Sequence, residues 1–411
     1  MGEKFRFLHC ADLHIGSGFT GLSRRIPELD GELSRTPFLA WRNTVAVALR
    51  EKVDFLLIAG DCFDRSAPSL QGRLEFVKGL KTLCQAQIPV FIVSGNHDPW
   101  PQAWSAAVTL PENVTFFPPG EVKLHHFLKN GAVAATIGGI GHGSLNVLDN
   151  LAVRTGEALK EAPGVRIALV HANLCGDLHA APATLAELVA LPVDYWALGH
   201  VHSRRVLHEK PFVVYSGCVQ GRDINEPGIQ GCYVVDCDGF GGLSLTFHPT
   251  SVLEFQVLEV DAGAAENLEQ LLKILLTELK KLDLKDRLLF RLKLTGVTPL
   301  DGELRKSDPE ELRAFFYEGV KGACEGVFLE EVVLLTRMPA ADESAVLPAD
   351  ELVRAAAEIA EEGVLEKLYD EMRRVHRDLP AAIRPERFAE LRSEGSALLA
   401  ELLAGKLGLK S

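Results

Sequence analysis

Short apolar segments rich in valine, isoleucine and leucine recur along the first 250 residues of the chain. Each segment is nearly continuous and is flanked by glycine, proline, asparagine or aspartate, a pattern typical of strands that are buried on both faces of a layered α/β protein. Helices are predicted around residues 36–52 and 69–87. The predicted strands lie at residues 5–11, 53–60, 89–95, 133–141, 166–172, 194–200, 212–217 and 231–237.

The pattern changes near residues 255–262, where helical and strand-like segments begin to alternate and predict a small α+β domain. These segments lie at residues 262–282, 287–296, 308–324 and 328–338. A linker rich in alanine, proline and acidic residues follows at 338–351, and the remaining residues have a helical pattern. We therefore predict three regions, with bounds 1–255, 256–340 and 341–411.

The composition is that of a globular protein, with 47% hydrophobic and 24% charged residues in a chain of 411. The formal net charge of −13 should repel phosphate backbones, so contact with nucleic acid must be local, metal-assisted or supplied by a partner. No apolar run approaches the roughly 18 residues of a membrane span, and the first residues have the pattern of a strand rather than of a signal peptide. The eight cysteines contain no CxxC pair, and we expect reduced thiols in a cytoplasmic protein.

Side chains that can bind metal ions follow five of the predicted strands, at the point where each strand ends. Because the carboxyl ends of strands in an open α/β sheet share one edge, where ligands bind, we expect these side chains to converge in one cleft. They are Asp12 and His14 in DLH, Asp61 and Asp64 in GDCFD, Asn96, His97 and Asp98 in GNHD, His171, and His200 and His202 in GHVH.

The ligand types in this set suit a pair of divalent ions. Imidazole and carboxylate ligands are typical of Mn, Fe, Zn or Co, and a paired site needs a bridging carboxylate and about three terminal ligands for each ion. Asp61, at the end of a central strand, is the natural bridge. Such ions would activate water as a nucleophile and neutralise charge in a phosphoryl-transfer transition state. We expect Asp12, His14 and His202 to bind the first ion and Asn96, His171 and His200 to bind the second.

His97 is not needed as a ligand, and we expect it to protonate the leaving oxygen while Asp98 fixes its tautomer. Each motif alone has a structural alternative, since DLH could be a capped turn and GHVH a surface turn, but the complete set favours a metal site. Cys10 and Cys62 are expected to be small core residues. The remaining histidines are expected to be structural or solvated: His9, His125, His126, His142, His179, His208 and His248.

As a set, the motifs DxH, GDxxD, GNHD, a strand-end histidine and GHxH resemble the signature of the calcineurin-like metallophosphoesterase superfamily. Within it, FLHCADLHIGS, LLIAGDCFDRSAPS, VSGNHDPW, YWALGHVHSR and YSGCVQGRDINEPGIQGCYVVD resemble the SbcD and YhaO type of DNA repair exonuclease. LKLTGVTPL, at residues 292–300, is similar to a strand of the capping domain of that group. The resemblance covers about residues 5–300, and the C-terminal residues share only a helical pattern.

The resemblance implies a four-layer αββα sandwich with a small α+β capping domain and a helical C-terminal tail. It also implies two manganese ions, cleavage of phosphodiester bonds in DNA at ends or in single strands, and an SbcC-like coiled-coil ATPase as partner. A homodimer is expected by analogy alone. Eukaryotic and archaeal relatives carry a histidine at the end of GDxxD, where this chain has Asp64, and this leaves His97 as the proton donor.

Three arginines near the motifs are candidates for binding substrate phosphate: Arg204 and Arg205 in HSRR, and Arg222 in GRDINEPGIQG. A solvated turn and a hairpin with an exposed arginine are the structural alternatives. In the C-terminal region, apolar residues between 384 and 404 fall on one helical face. That face would pack against the chain's own preceding helix or dock onto an ATPase partner.

The sequence therefore favours a manganese-dependent DNA exonuclease or endonuclease. The alternative is a metallophosphoesterase for small-molecule phosphoesters or phosphoproteins, which would suit the acidic charge. The extra domain and the helical tail favour the nuclease. A non-enzymatic scaffold is disfavoured because a decayed site would be expected to lose ligands.

Overall fold

The computed structural model describes residues 3–339, apart from 18, 20–21, 23–25, 27–28, 30, 65–68, 102, 105–108, 177 and 283–286. The chain forms two compact units, Met1–Arg337 and Met338–Ser411, and only the first two residues of the second unit are among those described. The predicted helical region at 341–411, and all but the start of the linker at 338–351, therefore lie outside the described residues.

All eight apolar segments singled out in the first 250 residues form strands. The strands, numbered β1 to β15 in chain order, are Phe5–Cys10, Phe55–Ala59, Val90–Val93, Val114–Phe117, Lys123–Lys129, Ala132–Ile140, Val165–His171, Tyr195–Gly199, Arg205–Glu209, Phe212–Tyr215, Gly231–Cys237, Leu243–Pro249, Leu253–Asp261, Arg287–Thr295 and Val327–Leu334. The helices, numbered α1 to α7, are Thr36–Arg50, Leu70–Gln85, Leu151–Ala158, Leu185–Ala190, Leu268–Lys280, Asp301–Lys306 and Pro309–Lys321.

Two six-stranded sheets organise most of the described chain. The first has the order β12-β11-β1-β2-β3-β4, and the second has the order β5-β6-β7-β8-β10-β9. Pairing is parallel from β1 to β4 and along β6, β7, β8 and β10, whereas β11, β12, β5 and β9 pair antiparallel with their neighbours. The parallel strands bring their carboxyl ends to one edge of each sheet.

An aromatic layer fills the space between the two sheets. The rings of Phe7 and Phe55, on the first sheet, are stacked with their centroids 5.1 Å apart. The ring of Phe7 is nearly perpendicular to that of Tyr195, on the second sheet, with the two centroids 5.1 Å apart. These side chains are fully buried, and truncation of either phenylalanine to alanine should cost about 3–5 kcal/mol of unfolding free energy. These rings are part of the core that joins the two sheets.

Helices cover the outer face of each sheet. Helices α1 and α2 place Trp41 and Phe76 on the first sheet. Helices α3 and α4 place Leu151 and Leu188 on the second. The order of layers is helix, sheet, sheet, helix, which confirms the four-layer αββα sandwich that the resemblance implied.

A smaller sheet of three parallel strands, in the order β13-β14-β15, follows the sandwich in the chain. Its strand β14 contributes Phe290 to a core that it shares with Leu275 of α5, Leu304 of α6 and Phe316 of α7. This α+β unit contains the predicted alternation of helices and strands, together with β13 and α6, which the sequence pattern did not reveal. Contacts group residues 1–337 as one unit, so the domain boundary expected at 255 stays a prediction.

Candidate metal centre

The predicted ligands lie at the carboxyl ends of strands from both large sheets. Strands β1, β2 and β3 of the first sheet end just before Asp12, Asp61 and Asn96. In the second sheet, β7 ends at His171, and β8 ends at Gly199, just before the GHVH motif. The side chains therefore converge across the gap between two facing sheets, and not at the edge of one sheet as the strand-end pattern predicted.

The first predicted ligand group is compact. The ligand atoms of Asp12, His14 and His202 all lie within 4.8 Å of one another. The Nε2 atoms of the two histidines are 3.1 Å apart. Asp61 lies beside this group, with Oδ2 3.8 Å from Nε2 of His14. All but His202 are almost completely buried.

The second predicted group lies on the other side of Asp61, whose Oδ2 is 3.5 Å from Nε2 of His171. The amide oxygen of Asn96 is 2.8 Å from the same nitrogen and 3.2 Å from Nδ1 of His200. The Nδ1–H of His171 donates to the carbonyl oxygen of Ala59 at 2.9 Å, which leaves Nε2 as the free lone pair of that ring. Asp61 therefore lies between the two groups, where a bridging carboxylate belongs.

The backbone at the site adopts conformations that ordinary residues rarely occupy. Asp12, His14, Asp61 and His200 have positive φ angles of 51°, 43°, 48° and 101°. Each such residue costs on the order of 1–3 kcal/mol and persists where the surroundings determine it, typically at functional sites. A close approach adds to this constraint, since a Cβ at Gly95 would collide with the carboxylate and the backbone nitrogen of Asp61.

Burial sets the protonation of the predicted ligands. It lowers the pKa of His14 to about 4 and that of His171 to about 3, so both rings are neutral near pH 7, in the form that binds metals. Burial, together with the nearby Asp61 carboxylate, raises the pKa of Asp12 to about 7. Burial alone would raise the pKa of Asp61, but the His171 and His14 rings lower it below its usual range.

The donor set fits divalent cations. The lone pair of His171 Nε2 faces the amide oxygen of Asn96 at 2.8 Å, so two hydrogen-bond acceptors meet there. Asp12 and Asp61 add two carboxylates to the same buried space. Acceptors crowded in this way repel one another unless a cation lies between them, and imidazole, carboxylate and amide oxygen are ligands of divalent metals.

Asp98 does not have the place expected for it. Its carboxylate accepts hydrogen bonds from the backbone nitrogens of Gly95 at 2.6 Å and Cys62 at 2.8 Å, so it pins the loop that carries Asn96. The predicted contact that would fix the tautomer of His97 is not made. Asp64 lies there instead, with its carbonyl oxygen 3.4 Å and its Oδ1 3.7 Å from Nδ1 of His97.

The three candidate arginines are placed differently from one another. The guanidinium of Arg222 is held by Asp64 and Glu226 through two ion pairs and is not the exposed arginine of the structural alternative, and its contact with substrate phosphate stays a prediction. Arg204 is exposed, and its guanidinium lies over the ring of Phe247 at 3.7 Å. Arg205 is exposed at the first position of β9. Substrate contact by Arg204 and Arg205 stays a prediction.

Two polar residues at the site were not singled out from the sequence. Glu226 accepts from Nδ1 of His202 at 2.5 Å, and Asn173 Nδ2 lies 2.9 Å from Nε2 of His200. Asn173 follows the strand-end histidine by two residues, which is a weak positional signal. Glu226 lies in the loop already considered for Arg222, but nothing in its local sequence indicates that it reaches His202.

Comparison with known proteins agrees with this geometry. The profile of the family described as calcineurin-like phosphoesterase matches residues 5–204, and that of the middle domain of the metallophosphoesterase YhaO matches residues 255–337. An uncharacterized metallophosphoesterase, YhaO of Bacillus subtilis, is 34% identical over 299 residues, which cover 71% of this chain and 72% of that protein.

Similarity over shorter parts of the chain extends to a DNA repair protein and to a nuclease subunit. A DNA double-strand break repair protein Mre11 from Sulfurisphaera tokodaii is 29% identical over 213 residues, or 50% of this chain and 50% of that protein. The SbcD component of the nuclease SbcCD from Rhodobacter capsulatus is 38% identical over 96 residues, or 23% of this chain and 22% of that protein. Within the described residues, no helix has both the length and the apolar character needed to cross a membrane. The fold, the strand-end side chains and these matches together show that the chain belongs to the calcineurin-like metallophosphoesterases, a superfamily of metal-dependent phosphoester hydrolases, and is of the YhaO type, with homology to the Mre11 and SbcD proteins.

Proposed function

We propose that this metallophosphoesterase is a two-metal phosphodiesterase that cleaves DNA, with manganese as its working metal. The observation that carries the proposal is the convergence of six strand-end side chains from two sheets around the Asp61 carboxylate. Asp12, His14 and His202 would hold one ion, and Asn96, His171 and His200 would hold the other. When bound, such ions activate water and stabilise the negative charge of a phosphoryl group.

His97 would then handle the proton of the leaving oxygen. Its side chain is 42% exposed, in contrast to the buried ring of His14 beside it. The Nδ1 side of its ring faces Asp64, so Nε2 is left for the substrate. A histidine with one nitrogen anchored and the other at an open site is suited to general acid catalysis.

The proposal that the substrate is DNA, at ends or in single strands, is supported by the α+β unit after the sandwich and by the homology to the Mre11 and SbcD nucleases. The net charge of −13 opposes autonomous binding of a polyanion. We therefore include an SbcC-like coiled-coil ATPase in the proposal, as the partner that would supply affinity for DNA. A homodimer stays a prediction.

The test compares three substrates: linear duplex DNA, single-stranded DNA and bis(p-nitrophenyl) phosphate. Each is incubated with the full chain and Mn²⁺, and then with an excess of chelator. An Asp12→Asn variant purified in parallel controls for contaminating nucleases. We expect metal-dependent cleavage of DNA that the variant lacks. Hydrolysis of the small ester without cleavage of either DNA would reject DNA as substrate and favour a small-molecule phosphoesterase.

A further inference from the structure

Behind the first ligand group lies a layer of charged side chains. His202 Nδ1 is 2.5 Å from Oε1 of Glu226, and His14 Nδ1 is 3.0 Å from Oδ1 of Asp64. Each of the two rings therefore has one nitrogen facing a carboxylate, while their Nε2 atoms converge at 3.1 Å.

The shortest of these distances determines where a ring proton lies. A carboxylate oxygen and a bare imidazole nitrogen cannot approach to 2.5 Å, so a hydrogen lies between Glu226 and Nδ1 of His202. At His14 the Asp64 carboxylate lies 3.0 Å from Nδ1 without the alignment of a hydrogen bond, so this pair places a negative charge beside the ring but does not fix its tautomer. With the proton at Nδ1, the neutral ring of His202 presents the lone pair of Nε2, which is the arrangement that histidine ligands of metals commonly show.

Arg222 joins the two carboxylates. Its Nη1 donates to Oδ1 of Asp64 at 2.7 Å, and its Nη2 lies 3.4 Å from Oε1 of Glu226. The backbone nitrogen of Arg222 also donates to Oε2 of Glu226 at 2.8 Å. The three side chains are only 12–22% exposed, and a guanidinium between two carboxylates offsets the cost of burying their charges.

The loop that carries Glu226 is anchored at both ends to the beginning of β13. The side chain of Gln220 accepts from the backbone nitrogen of Val252 at 2.9 Å and donates to the carbonyl oxygen of Leu253 at 2.7 Å. Gly228 donates from its backbone nitrogen to the carbonyl oxygen of Phe255 at 2.8 Å. The position of Glu226 is thus set by the first strand of the small sheet.

We infer that Glu226 and Asp64, joined by Arg222, are positioning residues that hold the rings of His202 and His14 with Nε2 toward the first metal ion. The inference rests on the proposed function, because it takes these two histidines as ligands. Both carboxylates contact ligands of the same ion. Loss of either carboxylate should therefore lower the affinity for that ion and leave the affinity for the other ion unchanged.

The experiment measures Mn²⁺ binding to the full chain by calorimetry and follows ligand geometry through the visible absorption of Co²⁺ bound in place of Mn²⁺. We compare Glu226→Ala, Glu226→Gln and Asp64→Ala with the parent protein. Glu209→Ala, an exposed glutamate on β9, is the matched control. We expect each alanine variant to bind one ion about 10- to 100-fold more weakly and to alter the Co²⁺ spectrum. Glu226→Gln should lose less, because its amide oxygen still accepts from Nδ1.

Unchanged affinities and an unchanged Co²⁺ spectrum in Glu226→Ala, with two ions bound by the parent, would overturn the inference and leave the proposed function intact. A parent protein that binds no metal would overturn both. If circular dichroism shows that Glu226→Ala does not fold, Glu226→Met decides, because it keeps the length of the side chain but cannot accept from Nδ1: weaker binding of one ion supports the positioning role, and parent-like binding of both ions rejects it.

Discussion

The Nε2 atoms of His14 and His202 lie 3.1 Å apart although 188 residues separate them in the chain. One ring follows a strand of the first sheet and the other follows a strand of the second. Their contact is possible only because the two sheets bring their carboxyl edges together at the same end of the sandwich. The metal centre therefore depends on how the two sheets are placed against each other.

Asp61 is expected to bridge the two ions as a ligand of both. Its Oδ2 lies 3.8 Å from Nε2 of His14 and 3.5 Å from Nε2 of His171, one from each ligand group. Asp61→Ala should therefore abolish tight binding of both Mn²⁺ ions, as measured by calorimetric stoichiometry. Asp149→Ala, which removes an exposed carboxylate elsewhere, is the control and should bind two ions. Two ions bound by Asp61→Ala would contradict the bridging role.

His97 is expected to act in proton transfer rather than in metal binding. His97→Ala should bind Mn²⁺ like the parent but cleave DNA about 10²–10⁴-fold more slowly, the usual contribution of a general acid. The loss should be much smaller on bis(p-nitrophenyl) phosphate, because nitrophenolate leaves without a proton.

The exposed His126 on β5 provides the control for His97, since His126→Ala should retain both activities. Loss of metal together with activity in His97→Ala would show that His97 is a ligand. Equal losses on both substrates would argue against a role at the leaving group.

Metal affinity should rise with pH up to about 7. In the metal-free protein the pKa of Asp12 is raised to about 7, so below that pH the carboxyl holds a proton that a metal ion must displace. His14 and His171, with pKa values of about 4 and about 3, are already neutral and add no further dependence above pH 5.

Calorimetry in buffers of different ionisation enthalpy would count the protons released when Mn²⁺ binds. At pH 6, Asp12 should release close to one proton for each protein molecule that binds Mn²⁺. Any further proton should come from His202, because its hydrogen bond to Glu226 raises the pKa of this histidine although burial lowers it. The number of released protons should fall as the pH rises well above 7. Affinity and proton release that do not change between pH 5.5 and 8 would be inconsistent with the buried carboxylate described here.

Gly95 is expected to tolerate no side chain. A Cβ at this position would collide with the carboxylate and the backbone nitrogen of Asp61. Gly95→Ala should lower the free energy of unfolding by about 1–3 kcal/mol, as overpacking does, and should weaken metal binding through the displaced Asp61. Gly322→Ala is the control, because its Cβ would meet its nearest neighbour at an ordinary 3.5 Å. Denaturant melts and calorimetry measure both effects, and parent-like behaviour of Gly95→Ala would contradict the prediction.

The sequence predicted the interior of the sandwich better than its margins. Strands such as β2 and β3 are buried throughout and appear as continuous apolar runs. Strand β5, at a sheet edge, alternates between exposed and half-buried residues and was missed, as was β12 at the edge of the other sheet. An edge strand with one solvated face carries too weak an apolar signal to be distinguished from a loop.

For the site, the strand-end positions of the seven predicted ligands could be seen in the sequence because each follows an apolar run directly. Their distribution over two facing sheets came only from the family resemblance. The contacts of Glu226, Asp64 and Arg222 could not be predicted, because they join loops whose meeting depends on tertiary packing. Asp98 was misassigned for the same reason, since its neighbour in sequence is not its partner in space.

The packing of the aromatic rings between the sheets helps to determine how the two sheets are aligned, and so the distances between the predicted ligands at their edge. If one sheet shifted against the other by a single residue, its side chains would move by about 3.3 Å. That shift is larger than the distance of 3.1 Å between the Nε2 atoms of His14 and His202, and larger than the 2.8 Å between Asn96 Oδ1 and His171 Nε2. Remote substitutions among Phe7, Phe55 and Tyr195 should therefore misalign the site and impair hydrolysis before the protein as a whole unfolds.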